Sequence, residues 1–132
     1  MRDPLTILRE SKTIAMVGAS PNPSRDSHGV MRYLLREGYR VIPVRPDCDA
    51  VLGVPCVPTL GEIDEQIDLV DVFRRPEFCA QHAREAVAAG AGSLWLQLGI
   101  RSPEAKRIAE AAGLDYVEDA CTAALHARHL RE

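Results

Sequence analysis

The spacing of apolar residues changes repeatedly along the chain, and the changes predict alternating strands and helices. Thr13-Ile14-Ala15-Met16-Val17 is a short, almost continuous apolar run that stops at Gly18. Such a run reads as a strand buried on both faces. A nine-residue loop, 18–26, follows it. Ser27 is expected to cap a helix through Glu37, with Val30, Met31, Leu34 and Leu35 on one face and Gly38 as its stop. Ahead of this unit, Asp3-Pro4 predicts a short helix to Glu10, with Asp as cap and Pro in the first turn.

The same unit recurs downstream. Residues 39–44 read as a second strand. Residues 45–58 hold Pro46, Pro55 and Pro58 and read as a connector with a short extended piece at 51–54. Residues 60–66 are at most a short helix, and 68–73 a third strand. Pro76 starts a helix carrying Phe78, His82, Ala83, Ala86 and Val87, which Gly90 ends. Residues 93–98 are a fourth strand. Ser102-Pro103-Glu104 opens a helix that Gly113 ends, residues 114–117 are a fifth strand, and 122–130 a last helix. Five strands alternating with helices predict an α/β, doubly wound (Rossmann-like) parallel sheet with helices on both faces. The expected strand order is 3-2-1-4-5.

Composition narrows the picture. The 132 residues, 46% hydrophobic and 27% charged, are expected to form one domain, 1–132, with a full core. Sixteen basic residues against nineteen acidic ones give a net charge of −3, so no general attraction to nucleic acid or to an anionic membrane is expected. No apolar run approaches a membrane span and the N-terminus lacks a signal-peptide core, so a cytoplasmic location is expected. Cys48, Cys56, Cys79 and Cys121 contain no C-x-x-C and read as reduced thiols. Arginines that bind an anion must therefore act locally.

Ligands of such sheets sit beyond the carboxyl ends of the strands. The chain supplies Gly18-Ala19-Ser20, Val44-Arg45-Pro46, Phe73-Arg74, Gln97-Leu98-Gly99-Ile100 and the segment 118–122 at those ends. Gly18 permits close backbone approach, the next helix offers its positive N-terminus, and Ser20, Ser24, Arg25, Arg45 and Arg74 offer hydroxyls and guanidinium forks. The pattern points to a phosphorylated ligand. A dinucleotide fingerprint starting at Gly18 fails at Ser20 and Pro23, and Arg45 stands where an NAD site wants an acid. Arginine there suits a ribose that itself carries a phosphate, as in NADP or coenzyme A. No P-loop, G-x-S-x-G elbow, H-E-x-x-H or pair of catalytic acids occurs. His82, His126 and His129 read as structural or solvent-facing, and Asp71, in a strand, as hydrogen-bonded to a neighbouring loop.

Four segments in order, Val17-Gly18-Ala19-Ser20-Pro21, Gly38-Tyr39-Arg40-Val41-Ile42-Pro43-Val44-Arg45-Pro46, Asp68-Leu69-Val70-Asp71-Val72-Phe73-Arg74 and Trp95-Leu96-Gln97-Leu98-Gly99-Ile100, resemble the small stand-alone CoA-binding proteins. Those are similar to the N-terminal domain of the succinyl-CoA synthetase α subunit. The resemblance implies that Gly18, Ala19, Ser20 and Arg25 hold the CoA phosphates. It implies that Val44, Arg45 and Pro46 flank the adenosine, and that Phe73 and Arg74 contact adenine or its phosphate. Gln97, Gly99 and Ile100 would line the pantetheine path. The expected function is non-catalytic binding of coenzyme A or an acyl-CoA by a carrier, sensor or partner subunit, with a homodimer as the commonest assembly. Two other readings stay open. One is an NADP-type oxidoreductase or redox sensor; the other is cysteine-dependent acyl transfer, for which Cys121, before the last helix, is the available thiol.

Overall fold

The computed structural model describes residues 1–131. In it the alternating pattern becomes β1 (Thr13–Val17), β2 (Arg40–Val44), the short β3 (Ala50–Val51) and β4 (Val54–Pro55), β5 (Leu69–Val72), β6 (Ser93–Leu96) and β7 (Asp115–Val117). The helices are α1 (Pro4–Glu10), α2 (Asp26–Arg36), α3 (Pro76–Ala88), α4 (Pro103–Ala111) and α5 (Thr122–His129), with one 3-10 turn at Leu60–Glu62. Two expected caps form: Asp3 Oδ1 accepts from Thr6 N–H, and Ser102 Oγ from Ala105 N–H. Residues 60–66 stop at that single turn.

Five strands form an all-parallel sheet in the order β2-β1-β5-β6-β7. Alternate residues of β1 part to opposite faces, as strand geometry requires. Ile14 and Met16 join Ile7 and Leu8 of α1, Met31 and Leu34 of α2, and Trp95. Ala15 and Val17 join Val70, Leu94 and the small residues Ala83 and Ala86 of α3 and Ala105 and Ala109 of α4. Both faces are thus covered, which is why the strands read as continuous apolar runs.

The doubly wound fold is as expected, but the strand order is not. Counted along the chain, the sheet strands run 2-1-3-4-5 rather than 3-2-1-4-5. The cause lies in Pro43. Its carbonyl accepts from Val57 N–H at 2.9 Å on the outer side of β2, and Arg45 N–H donates back to Val57 O at 2.9 Å. Backbone groups of one strand residue point the same way, so the N–H that Pro43 lacks also faces outward. A full strand could not pair there, and Pro confines β2 to the edge. The chain instead returns across β1 and pairs β5 on its other side. The edge is closed by Val57 and by the β3–β4 hairpin that precedes it.

Candidate functional site

The corrected order fixes where a ligand cleft opens. In a 2-1-3-4-5 sheet the chain reverses direction between the first and third strands, and the crevice lies at their carboxyl ends. Here that junction joins the loop after β1 to the segment after β5. Phe73 N–H donates to Val17 O at 2.8 Å, and Gly18 N–H to Val44 O at 3.0 Å, so three strand ends meet at Gly18. The contact leaves no room for a side chain. Gly18 has φ +84°, and a Cβ there would lie 2.5 Å from Phe73 O. Only glycine brings these two backbones together.

The loop from Gly18 to Arg25 is braced by its own polar groups. Ser20 N–H donates to Ser27 Oγ at 3.0 Å, Asn22 N–H to Ser20 Oγ at 3.1 Å, and Ser24 N–H and Oγ both to Asn22 Oδ1. These bonds change two expectations. Ser27 is not the cap of α2: the helix begins at Asp26 with Arg25 at the cap position and no side-chain cap. The Ser27 hydroxyl is spent on the loop, no side chain caps α2, and Asp26 and Ser27 of its first turn line the cleft, where a helix N-terminus favours an anion. Ser20 and Ser24 hold the loop's shape through the same bonds that would otherwise be free for a ligand. Asn22, which the sequence reading passed over, is the centre of that brace.

Three basins line up along this edge. The middle one, about 450 Å³, is walled by Gly18, Ser20, Asn22, Arg25, Arg45 and Phe73. At Gly18 and Arg45 it adjoins a second, about 410 Å³, that adds Val44, Pro46, Asp47 and Arg74. At Arg25 and Phe73 it adjoins a third, about 530 Å³, that adds Val30, Gln97, Leu98 and Cys121. Among the described residues, Arg25, Arg45 and Arg74 form no ion pair with a carboxylate, whereas Arg2, Arg40 and Arg101 do. Arg45 Nη1 reaches Ala19 O at 3.4 Å, and the Arg74 guanidinium stacks 4.5 Å over the Phe78 ring. Two acids stand against this positive set, Asp26 in the middle basin and Asp47 beside Arg45.

At the far end a buried polar cluster fixes Gln97. Its Nε2 donates to Asp71 Oδ1 and to Thr122 Oγ1 at 3.0 Å, and Thr122 Oγ1 donates to Asp71 Oδ2 at 3.1 Å. Asp71 is fully buried, and burial pushes its carboxyl up to about 7 although the two hydrogen bonds oppose the rise. With both amide hydrogens committed, Gln97, which lines the third basin, keeps Oε1 as its remaining hydrogen-bonding atom. The expected loop partner of Asp71 is thus Gln97, just past β6, and a second partner, Thr122, comes from the first turn of α5.

Most residues implicated from the sequence converge. Gly18, Ser20, Arg25, Val44, Arg45, Pro46, Phe73, Arg74 and Gln97 all line the three basins. Three do not. The Ala19 side chain is buried in the core and only its carbonyl faces Arg45. Gly99 and Ile100 lie in a turn beyond the cleft. Gly99 N–H donates to Asp119 Oδ1 at 2.7 Å, a bond that lowers the acid's pKa, and Ile100 packs on the core. The exposed Leu98 takes their place in the lining. The positive φ of Gly99 carries the chain away from the cleft immediately after Leu98.

The sequence and the fold are shared with known proteins. Residues 12–127 match the family described as the CoA binding domain, and the chain belongs to that family. It is 41% identical over 121 residues to the uncharacterized protein YneT of Bacillus subtilis, covering 92% of this chain and 90% of that one. A hypothetical protein from Pyrococcus horikoshii superimposes with a TM-score of 0.94 at 40% identity, covering 98% of this chain and 91% of that chain. A segment of 58 residues is 34% identical to acetate–CoA ligase [ADP-forming] I of Archaeoglobus fulgidus, 44% of this chain but 8% of the ligase.

Proposed function

We infer that the cleft binds coenzyme A or an acyl-CoA, and that the chain is a non-catalytic carrier, sensor or partner subunit. One observation carries this reading: the three basins differ in chemistry in the order in which CoA differs along its length. The basin of Val44, Arg45, Pro46 and Arg74 suits an adenosine whose ribose bears a 3′-phosphate. The basin of Gly18 and Arg25, at the open end of α2, suits the diphosphate. The basin of Val30, Phe73, Leu98 and the fixed Gln97 is weakly polar and suits the pantetheine arm, with Gln97 Oε1 as acceptor for one of its amide N–H groups.

The match to acetate–CoA ligase [ADP-forming] I, over 44% of this chain and 8% of the ligase, supports CoA as the ligand. The experiment is titration calorimetry with CoA, dephospho-CoA, NADP and NAD. A charge-assisted hydrogen bond to the 3′-phosphate is worth about 1.5–3 kcal/mol, so CoA should bind roughly ten- to a hundredfold more tightly than dephospho-CoA. Arg45→Ala should close most of that gap. Equal affinity for all four ligands, or preference for NADP, would overturn the assignment.

A further inference from the structure

The hairpin beside the adenosine basin carries two thiols in contact. The chain leaves β2, passes Arg45, Pro46 and Asp47 on the cleft wall, and reaches Cys48. It then forms β3, turns at Leu52 and Gly53 with positive φ at both, and returns through β4 to Cys56. Cys56 N–H donates to Asp49 O at 2.9 Å and closes the hairpin base. Cys56 Sγ lies 2.9 Å from Cys48 Sγ and donates to it. Both residues are partly accessible.

Neither of the other cysteines is so placed. Cys79 is buried, its thiol faces the carbonyls of Arg74 and Arg75, and burial pushes it up to about 11. Cys121 lines the basin of Gln97 and Leu98, and among the described residues no second thiol bonds to it.

We propose that Cys48 and Cys56 form a dithiol–disulfide site that reacts with low-molecular-weight disulfides. The contact assigns the two roles. Cys56 donates its proton to Cys48, and burial, then its neighbour Cys48, push the Cys56 thiol up. Cys48, the acceptor of the pair, is the attacking sulfur. Its thiolate attacks one sulfur of R–S–S–R; a Cys48–S–S–R bond forms, the old S–S bond breaks, and RS⁻ leaves and takes up a proton. The Cys56 sulfur, giving up its proton to solvent, then attacks Cys48 Sγ and expels the second RS⁻, which is protonated in turn. Two protein thiols are oxidised to one disulfide, and R–S–S–R is reduced to two RSH. A disulfide of about 2.0 Å lies a closing movement of roughly 1 Å from the observed contact. The bond would tie the base of the hairpin that continues directly from the Arg45 wall. The site rests on the hairpin alone and is independent of whether CoA binds.

The test uses the full chain and glutathione disulfide. The protein is incubated at pH 8, free thiols are alkylated at intervals, and peptides are read by mass. The expected product has a Cys48–Cys56 link, with Cys79 and Cys121 alkylated, forming at least about tenfold faster than any adduct on Cys121. Cys56→Ser should accumulate glutathione on Cys48, because the resolving thiol is gone. Cys48→Ser should lose at least about tenfold in rate of reaction at residue 56. Four alkylatable thiols after equilibration, or adducts spread over the four cysteines without an internal link, would overturn the proposal. So would a Cys48→Ser variant that reacts at Cys56 as fast as the parent reacts at Cys48.

Discussion

The two ends of the sheet offer a controlled comparison. The depression at the amino ends of the strands, about 720 Å³, is larger than any one of the three basins, and it too is rich in basic residues: Arg9, Lys12, Arg40 and His126 line it. Its electrostatics run the other way. Ser11, Glu37 and Leu130, which line it, are the C-terminal caps of α1, α2 and α5. Helix C-termini carry partial negative charge, so the cations there have backbone partners nearby. Arg40 is also held by Glu65, and His126 Nδ1 is 2.8 Å from the Tyr33 hydroxyl. At the carboxyl end the smaller basins face the uncapped start of α2 and arginines that have no carboxylate partner among the described residues. Volume does not distinguish the two ends; the direction of the backbone dipoles and the engagement of the arginines do.

The most damaging way to test this difference is at Gly18. Gly18→Ala places a Cβ 2.5 Å from Phe73 O in a backbone with φ +84°. The obstacle is backbone, not a flexible side chain, so strands β1 and β5 must part at the cleft. A cost of about 2–4 kcal/mol is expected, seen as a Tm about 10 °C lower. CoA affinity should fall at least about tenfold, because phosphate contacts depend on that approach. A variant with parental melting and binding would show that the loop is not built around the glycine.

Asp71 comes next, and its effect depends on pH. An ordinary aspartate has lost its proton by pH 5, but the buried one holds it to about 7. Between these values the folded chain carries a proton that the unfolded chain has released, so stability falls as pH rises, and the full penalty is present above pH 7. It is on the order of 4 kcal/mol. Asp71→Asn cannot ionise. Thermal melts from pH 5 to pH 8 should therefore show a flatter slope for the variant, which gains on the parent as pH rises. Parallel curves would show that the carboxyl titrates outside this window.

Arg25→Ala separates binding from folding. The side chain lies in a loop and has no ion pair among the described residues, so Tm should move by no more than about 2 °C. CoA should bind about tenfold more weakly, the value of one charge-assisted hydrogen bond. Lower melting with unchanged binding would make Arg25 a structural residue.

Much of this site is readable without coordinates, for physical reasons. Periodicity places the strands, and the fold rule then gathers residues 18, 45, 74 and 97 on one edge although they lie far apart in sequence. The strand order expected from the sequence is wrong, although Pro43 carries the signal that corrects it: its missing N–H marks an edge strand. What cannot be read is how short polar side chains divide their bonds. Ser27 has the residue type of a cap, yet Ser20 N–H claims its oxygen. Gly99 and Ile100 sit two and three residues past Gln97, but Asp119 draws Gly99 off the cleft. The contact of Cys48 with Cys56 needs the hairpin turn at 52–53, and a spacing of eight residues alone does not specify it.

The smallest effect is expected at the amino end, where Arg40→Ala is the counterpart of Arg45→Ala. The two arginines flank the same strand, five residues apart, which in extended chain is roughly 16 Å. At physiological salt charges are screened over about 8 Å, so Arg40 contributes little field at the cleft. Its pair with Glu65 is bidentate, but the two side chains are 56% and 43% exposed. Exposed pairs contribute up to about 1 kcal/mol, so the variant should melt a few degrees lower at most, with the loss shrinking in high salt. CoA affinity should stay within about twofold of the parent. The comparison breaks if Arg40→Ala weakens CoA as much as Arg45→Ala does. The larger depression would then be the site that the ligand occupies, and the orientation of the helix termini would not decide which end of the sheet binds.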